Sequence, residues 1–88
     1  MLFMIVSSWT SDMRNEVIKR RLEKGLQYPK EVKVLGEWTG IGQNVDFVLA
    51  EADDPKAVAQ ALLAWNDILD AEVHLVLDTE KDLLGLLK

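Results

Sequence analysis

Apolar residues recur along the chain at two spacings. Alternation along some segments predicts strands, and helical spacing along others predicts helices. Residues 2–9 are apolar on both parities, which is typical of a central strand covered on both faces. Residues 12–24 carry apolar side chains at helical spacing and are followed by Gly25, which can end a helix at positive φ. Thr10 or Ser11 is the expected cap of this helix.

A second helix is predicted to begin at Pro55, because an Asp N-cap and a proline at the first helical position precede an apolar stripe. The members of that stripe are Val58, Ala61, Leu62, Trp65 and Leu69. The stripe predicts that this helix packs on a sheet along one face.

The other segments predict three more strands and a tail helix. Residues 31–39 and 45–51 alternate apolar and polar positions around a turn, so they predict a hairpin. Residues 72–78 alternate again and predict a last strand at the edge of the sheet. Residues 78–88 predict a short amphipathic helix capped at Thr79, and we expect this leucine-rich tail to dock.

The order β-α-β-β-α-β predicts a single α+β, ferredoxin-like domain over residues 1–88, with both helices on one face of a four-stranded antiparallel sheet. The rows expected to pack against the helices are Val32/Val34/Trp38, Val45/Phe47/Leu49 and Val73/Leu75/Leu77. The opposite face is expected to mix apolar with charged residues: Leu35, Val48, Ala50 and Val76 with Lys33, Glu37, Asp46, Glu72 and His74. A face this apolar should not stay wet, so we expect a second copy to cover it and enclose a shared barrel.

Four stretches resemble an uncharacterised protein family known only as a domain of unknown function. They are Met1-Leu2-Phe3-Met4-Ile5-Val6, Gly36-Glu37-Trp38-x-Gly40, Phe47-x-Leu49-x-Glu51-x-Asp53-Asp54-Pro55 and Trp65-x-Asp67-x-x-Asp70-x-Glu72-Val73. The resemblance spans residues 1–77, and that family is similar to the dimeric α+β barrel superfamily. It implies two ferredoxin-like sheets closing one barrel, and because the family has no established reaction, it assigns no catalytic residue to this chain. Because the superfamily includes small monooxygenases, haem-handling enzymes, isomerases and amino-acid effector domains, the fold does not fix the function.

The composition excludes several classes of protein. The absence of Cys excludes a disulfide scaffold and a thiolate metal site. A formal charge of −5 disfavours nonspecific binding to nucleic acid or to an anionic membrane. No apolar stretch approaches the ~20 residues that span a bilayer, and the apolar start lacks the basic region of a signal peptide. We therefore expect a cytoplasmic protein with no cofactor and no metal.

Catalytic chemistry has one pair of candidates, on the last strand. His74 is the single histidine and shares a strand face with Glu72, whose carboxylate could orient the imidazole as a general base. A histidine on an edge strand is more often simply solvated. The structural interpretation of this pair is therefore favoured over the catalytic one.

Ligand binding has three candidates, Trp9, Glu37 and Asp46. Trp9 ends the first strand, where its ring could stack on a flat ligand, whereas Trp38 and Trp65 are expected in the core. Glu37 and Asp46 could hold a polar group, or form a hydrated rim. The run of basic residues on the first helix could contact phosphates, but cations near a helix C-terminus are already favoured by the helix dipole.

Three functions stay open on this evidence. The first is a small-molecule binding or regulatory module, whose partners are a second copy and an apolar or aromatic molecule. The second is a cofactor-independent enzyme of the monooxygenase or isomerase type with His74 as base, which needs a hydrated cavity reaching that residue. The third is an interaction domain, which needs an exposed apolar patch near residues 83–87.

Overall fold

The computed structural model describes residues 1–87, and the elements follow one another in the predicted order. The strands are β1 (Leu2–Ser8), β2 (Lys33–Thr39), β3 (Val45–Glu51) and β4 (Asp70–Val76). The helices are α1 (Arg14–Lys24) and α2 (Pro55–Leu62), and a π-helical turn (Thr79–Leu83) leads into a last turn, α3 (Leu84–Leu86).

The four strands form one antiparallel sheet in the order β2-β3-β1-β4. The central position of β1 and the edge position of β4 confirm the sequence-based prediction. This α+β arrangement is compatible with the ferredoxin-like fold. No helix within residues 1–87 has the length and apolarity needed to cross a membrane.

Local sequence signals explain where α2 begins and where α1 ends. The Asp54 carboxylate accepts a hydrogen bond from the backbone N–H of Lys56 at 2.9 Å, and Pro55 follows the cap as predicted. Gly25 ends α1 at φ 69°, with its N–H donating to the carbonyl of Arg21 at 3.0 Å. Both predicted helix boundaries are confirmed.

The start of α1 and the end of α2 differ from the prediction. Neither Thr10 nor Ser11 caps α1, because the Thr10 hydroxyl donates to the Asp12 carboxylate, and the helix begins only at Arg14. Helix α2 ends at Leu62, and the chain continues in turns up to residue 68. The predicted stripe is nevertheless buried as far as Trp65, whose indole N–H donates to the carbonyl of Leu26 in the loop after α1 at 2.8 Å.

The hydrophobic core lies between the sheet and the helices. Its buried members on β1, β3 and α2 are Phe3, Ile5, Val48, Ala50, Val58, Ala61 and Leu62. By contrast, α1 contributes a single buried residue, Val17. The core is therefore built mainly by α2, and the side under α1 is less filled.

The faces of β3 are the reverse of the prediction. Val48 and Ala50 lie opposite Ile5 and Phe3 and are buried on the helix side, whereas the row containing Phe47 lies on the other face. Both rows of β3 are apolar, so alternation alone does not select the buried one. Pairing with the central strand selects it, and this pairing is not visible in the local pattern.

A β-bulge reverses the second half of β2 as well. The register shifts between Val34 and Gly36, which leaves Leu35 as an extra residue. Beyond the bulge Glu37 lies on the helix side and Trp38, which is 56% exposed, lies on the other. The predictions of Trp38 in the core and of Glu37 on the opposite face are wrong, because one inserted residue shifts the alternation by one position.

The sheet surface away from the helices, here called the open face, is more apolar than predicted. Its apolar members are Leu2, Met4, Val6, Trp38, Val45, Phe47, Leu49 and Val76. Its polar and charged members lie at the strand ends and on the edge strands: Ser8, Lys33, Glu51, Asp70, Glu72 and His74. The indole of Trp38 lies across Gly36, which has no Cβ to displace it. An apolar centre with a polar border is the result.

Within residues 1–87 the tail beyond β4 leaves its leucines exposed. Leu86 and Leu87 are each 77% exposed, so the expected docking of the tail is wrong within one chain. Asp78, rather than the predicted Thr79, caps the π-helical turn, since its carboxylate accepts from the N–H of Lys81 at 2.9 Å. Residue 88 of the predicted tail helix lies outside the described residues.

Candidate functional site

A cavity of about 350 Å³ lies between α1 and the helix side of the sheet. It exists because α1 fills little of the space above the strands: Val17 is buried there, but Leu22 is 84% exposed and lines the rim. The volume falls within the roughly 300–1,000 Å³ typical of small-molecule sites. The cavity is the candidate site.

Most of the wall of this cavity is apolar. Its hydrophobic side chains come from α1, α2 and the segments that follow β1 and the two helices: Trp9, Val17, Ile18, Leu22, Leu26, Leu62, Trp65 and Leu69. Two of them are tryptophans, whose rings present wide flat surfaces. Such a wall favours a ligand with an apolar, flat body.

The polar groups gather at one end of the cavity, on the floor formed by the sheet. Thr39, Asp46 and Ser7 face one another across β2, β3 and β1 in the strand register, and all three line the cavity. The Thr39 hydroxyl donates to the Asp46 carboxylate at 3.0 Å. Ser7 is 7% exposed, which places a polar residue deep in an otherwise apolar interior.

An ion pair between α1 and β2 closes this polar end. The Arg21 guanidinium binds the Glu37 carboxylate through two nitrogens, with Nη2 at 2.7 Å and Nε at 3.1 Å from Oε1. Two donors from one planar group fix the orientation of both side chains. The pair therefore holds α1 over the sheet at the place where the cavity lies.

Burial shifts the pKa of the acidic groups at this end. Burial raises the pKa of Asp46 to about 6, with the hydrogen bond from Thr39 opposing the shift and the negative charge of Glu37 adding to it. Burial also raises the pKa of Tyr28 to about 12, and the Asp46 and Glu37 charges add to that shift. Near pH 7 the Asp46 carboxyl is thus largely ionised and the Tyr28 phenol is neutral.

The structure brings the three sequence-predicted ligand-binding residues together. Trp9, Glu37 and Asp46 all line the cavity, but they do so on the helix side of the sheet rather than on the face expected to line a shared barrel. Whether they bind a ligand stays a prediction.

The predicted catalytic pair lies elsewhere. His74 and Glu72 are on the open face, both exposed, with His74 Nε2 at 3.4 Å from Glu72 Oε1. Neither residue lines the cavity. A role for His74 as a base stays a prediction, without the enclosed environment that it would need.

Sequence reasoning missed four polar residues of the cavity: Ser7, Arg21, Tyr28 and Thr39. The signal for Ser7 was present, since it shares a parity with the core residues of the first strand. Arg21 was considered only as part of a basic helix. In the structure Arg21 binds Glu37, and Arg20 binds Asp67 and the carbonyl of Ala64, so these cations pair within their own chain.

The donor set of the cavity is not that of a metal centre. Within residues 1–87 no three His, Asp or Glu side chains are grouped closely enough to hold a metal ion. The two carboxylates of the cavity instead have a guanidinium and a hydroxyl as partners.

Comparison with known proteins gives a family and no function. A family model described as a domain of unknown function (DUF3303) matches residues 1–83. Among curated proteins and among solved structures, none matches the chain.

Proposed function

Since the chain belongs to the DUF3303 family, a family of unknown function, we propose its function from the geometry: it binds a small, flat, largely apolar molecule in the cavity between α1 and the sheet. The observation that carries this proposal is the convergence of polar side chains at one end of a 350 Å³ apolar cavity. Such a site buries the body of a ligand and orients it through few polar contacts.

The exposed apolar residues at the rim support this proposal. Ile18 and Leu22 lie on α1 with substantial exposure, although their helical spacing would bury them against a filled core. Apolar surface left in water costs about 25 cal/mol per Å². A ligand in the cavity would cover part of this surface, which is a source of affinity.

We also propose that the protein acts as a homodimer through the open face. The support is the distribution of its residues, with an apolar centre around Val6, Phe47 and Leu49 and charges confined to the border. An apolar centre and a polar rim are the usual anatomy of an interface. A two-fold axis pairs this one patch with itself, so the second copy supplies its complement.

Binding of 3-ethylindole, a neutral aromatic probe, tests the first proposal. We expect it to shift the amide NMR signals of Ser7, Glu37 and Asp46. Replacing Ile18 on the rim by Trp should fill the cavity and weaken binding by about tenfold or more, equivalent to about 1.4 kcal/mol. The measurement is a titration followed by amide shifts.

Leu63→Trp is the matched control, since Leu63 is exposed and lies outside the cavity lining. It should bind the probe as the unchanged protein does. The proposal is contradicted if the Ile18→Trp variant binds equally well, or if the probe shifts signals of the open face instead of those of the cavity.

A further inference from the structure

The polar end of the cavity carries more negative than positive charge. Glu37 and Asp46 both line it, and Arg21 is the cation that faces them. Because these groups are partly withdrawn from water, an uncompensated charge there is more costly than at the surface. The site therefore favours a ligand that brings a positive charge.

Among residues 1–87, Asp46 rather than Glu37 is the cavity carboxylate that binds no cation. Arg21 directs both Nε and Nη2 to Glu37, so its fork is occupied by that carboxylate. Within residues 1–87 the hydrogen bond that Asp46 accepts from a side chain comes from the neutral hydroxyl of Thr39. A carboxylate can accept several hydrogen bonds, so Asp46 retains capacity for a further donor.

Aromatic rings at the same cavity suit a cation as well. The indole N–H of Trp65 donates to the carbonyl of Leu26 at 2.8 Å and that of Trp9 to the carbonyl of Gln43 at 3.0 Å, which fixes both rings. The guanidinium carbon of Arg20 lies 5.8 Å from the centroid of the Trp65 ring, so one face of that ring already has a cation beside it. Rings held in this way attract cations through their faces.

We propose that the cavity selects an aromatic amine in its protonated form, with the ammonium group directed to the Asp46 carboxylate and the ring between the apolar walls. This inference rests on the proposed binding function and names its ligand class. An anionic ligand of the same shape is repelled by the two carboxylates. A neutral one gains the apolar contacts but leaves the charge of Asp46 uncompensated.

The selection depends on pH through Asp46. The groups that face it are Glu37 on β2, Arg21 on α1, Tyr28 in the loop after α1 and the Thr39 hydroxyl. Since the pKa of Asp46 is about 6, its charge is largely present at pH 7.5 and largely absent at pH 5.0. The pKa of an alkylamine is about 10, as for the Lys side chain, so the ligand stays charged between pH 5.0 and pH 7.5. The preference for the amine should therefore be strong at the higher pH and weak at the lower.

Three probes with one indole body test the charge selection: tryptamine, 3-ethylindole and indole-3-propionate. At pH 7.5 we expect tryptamine to bind about tenfold more tightly than 3-ethylindole, and indole-3-propionate to bind more weakly than either. At pH 5.0 the ratio of tryptamine to 3-ethylindole affinity should fall toward one. Calorimetric titration measures all three.

Two asparagine variants provide the comparison. In Asp46→Asn the ratio of tryptamine to 3-ethylindole affinity should fall toward one at pH 7.5. Asp53→Asn removes the same charge from an exposed position outside the cavity lining, and it should keep the ratio of the unchanged protein. An equal loss in both variants would show an effect of net charge alone and would overturn the inference.

The test separates this inference from the function on which it rests. If 3-ethylindole binds in the cavity and tryptamine binds no better, the choice of an amine is wrong and the binding function stands. If none of the three probes shifts the signals of the cavity residues, both are overturned.

Discussion

Asp46 shows how a single carboxyl group links the cavity to the stability of the fold. Its folded-state pKa of about 6 lies above the ordinary value of 3.8, mainly because of burial, so the folded protein favours the protonated form. From the ordinary value up to about pH 6 the folded state holds more protons than the unfolded state. The contribution of Asp46 to the free energy of unfolding therefore falls as the pH rises through this window, and it stays low at higher pH.

The variant Asp46→Asn tests this linkage. Asn keeps an oxygen for the Thr39 hydroxyl and carries no charge, so the variant should be more stable than the unchanged protein at pH 7.5. Because the carboxyl is only partly buried, we expect a gain of about 1 kcal/mol, or roughly 4–8 °C in a domain of this size. The gain should shrink toward pH 4. Thermal unfolding at both pH values measures it, with Asp53→Asn as the control, and a gain that is equal at both pH values contradicts the assignment.

At the scale of the element, the sequence predicts the order of strands and helices better than the direction of their faces. The cap at Asp54, the stop at Gly25 and the buried Trp65 follow from local chemistry, and the structure confirms all three. Which face of a strand is buried depends on the strands with which it pairs. A bulge at Leu35 and two apolar rows on β3 are enough to reverse the assignments of Trp38 and its neighbours.

The same reversal limits what could be predicted of the site. Glu37 and Asp46 were placed on one face together, which is correct, but the reversal moves both from the open face to the helix side. Arg21 and Tyr28 come from α1 and its following loop. Their approach to the sheet depends on tertiary packing, so no local spacing predicts it.

The tail provides a test at the scale of the element. Within residues 1–87 its leucines are exposed, and the main packing of the tail is between its own two turns. Deleting residues 79–88 should therefore leave the thermal midpoint within about 2–4 °C of the full chain, as for changes that remove no buried contact. Circular dichroism during heating measures this. A clear drop in the midpoint would show that the tail docks on a surface after all.

On the scale of the whole molecule, the cavity and the open face lie on opposite sides of one sheet. Strand β1 contributes residues to both: Ser7 lines the cavity, whereas Met4 and Val6 lie on the open face. A second copy on the open face would therefore leave the cavity accessible. Dimer formation and ligand binding are in this way expected to be separable properties, unlike in a barrel whose ligand sits between the two sheets.

The open face makes the dimer directly testable. At micromolar concentration the protein should scatter light as a particle of about twice its 10.0 kDa chain mass, because association removes the apolar centre of this face from water. Phe47→Glu places a charge in that centre and should give a 10.0 kDa monomer that still binds 3-ethylindole. Trp38→Glu, at a more exposed position, should act in the same direction if the first variant does not fold.

Leu63→Glu carries the same type of change at an exposed site on the helix side, and it should remain dimeric. A monomeric unchanged protein would remove the proposed role of the open face. A dimer that survives both Phe47→Glu and Trp38→Glu would place the interface elsewhere. The monomeric variant should still bind the probe. If it does not, the cavity needs the second copy, and the two sides of the sheet are coupled.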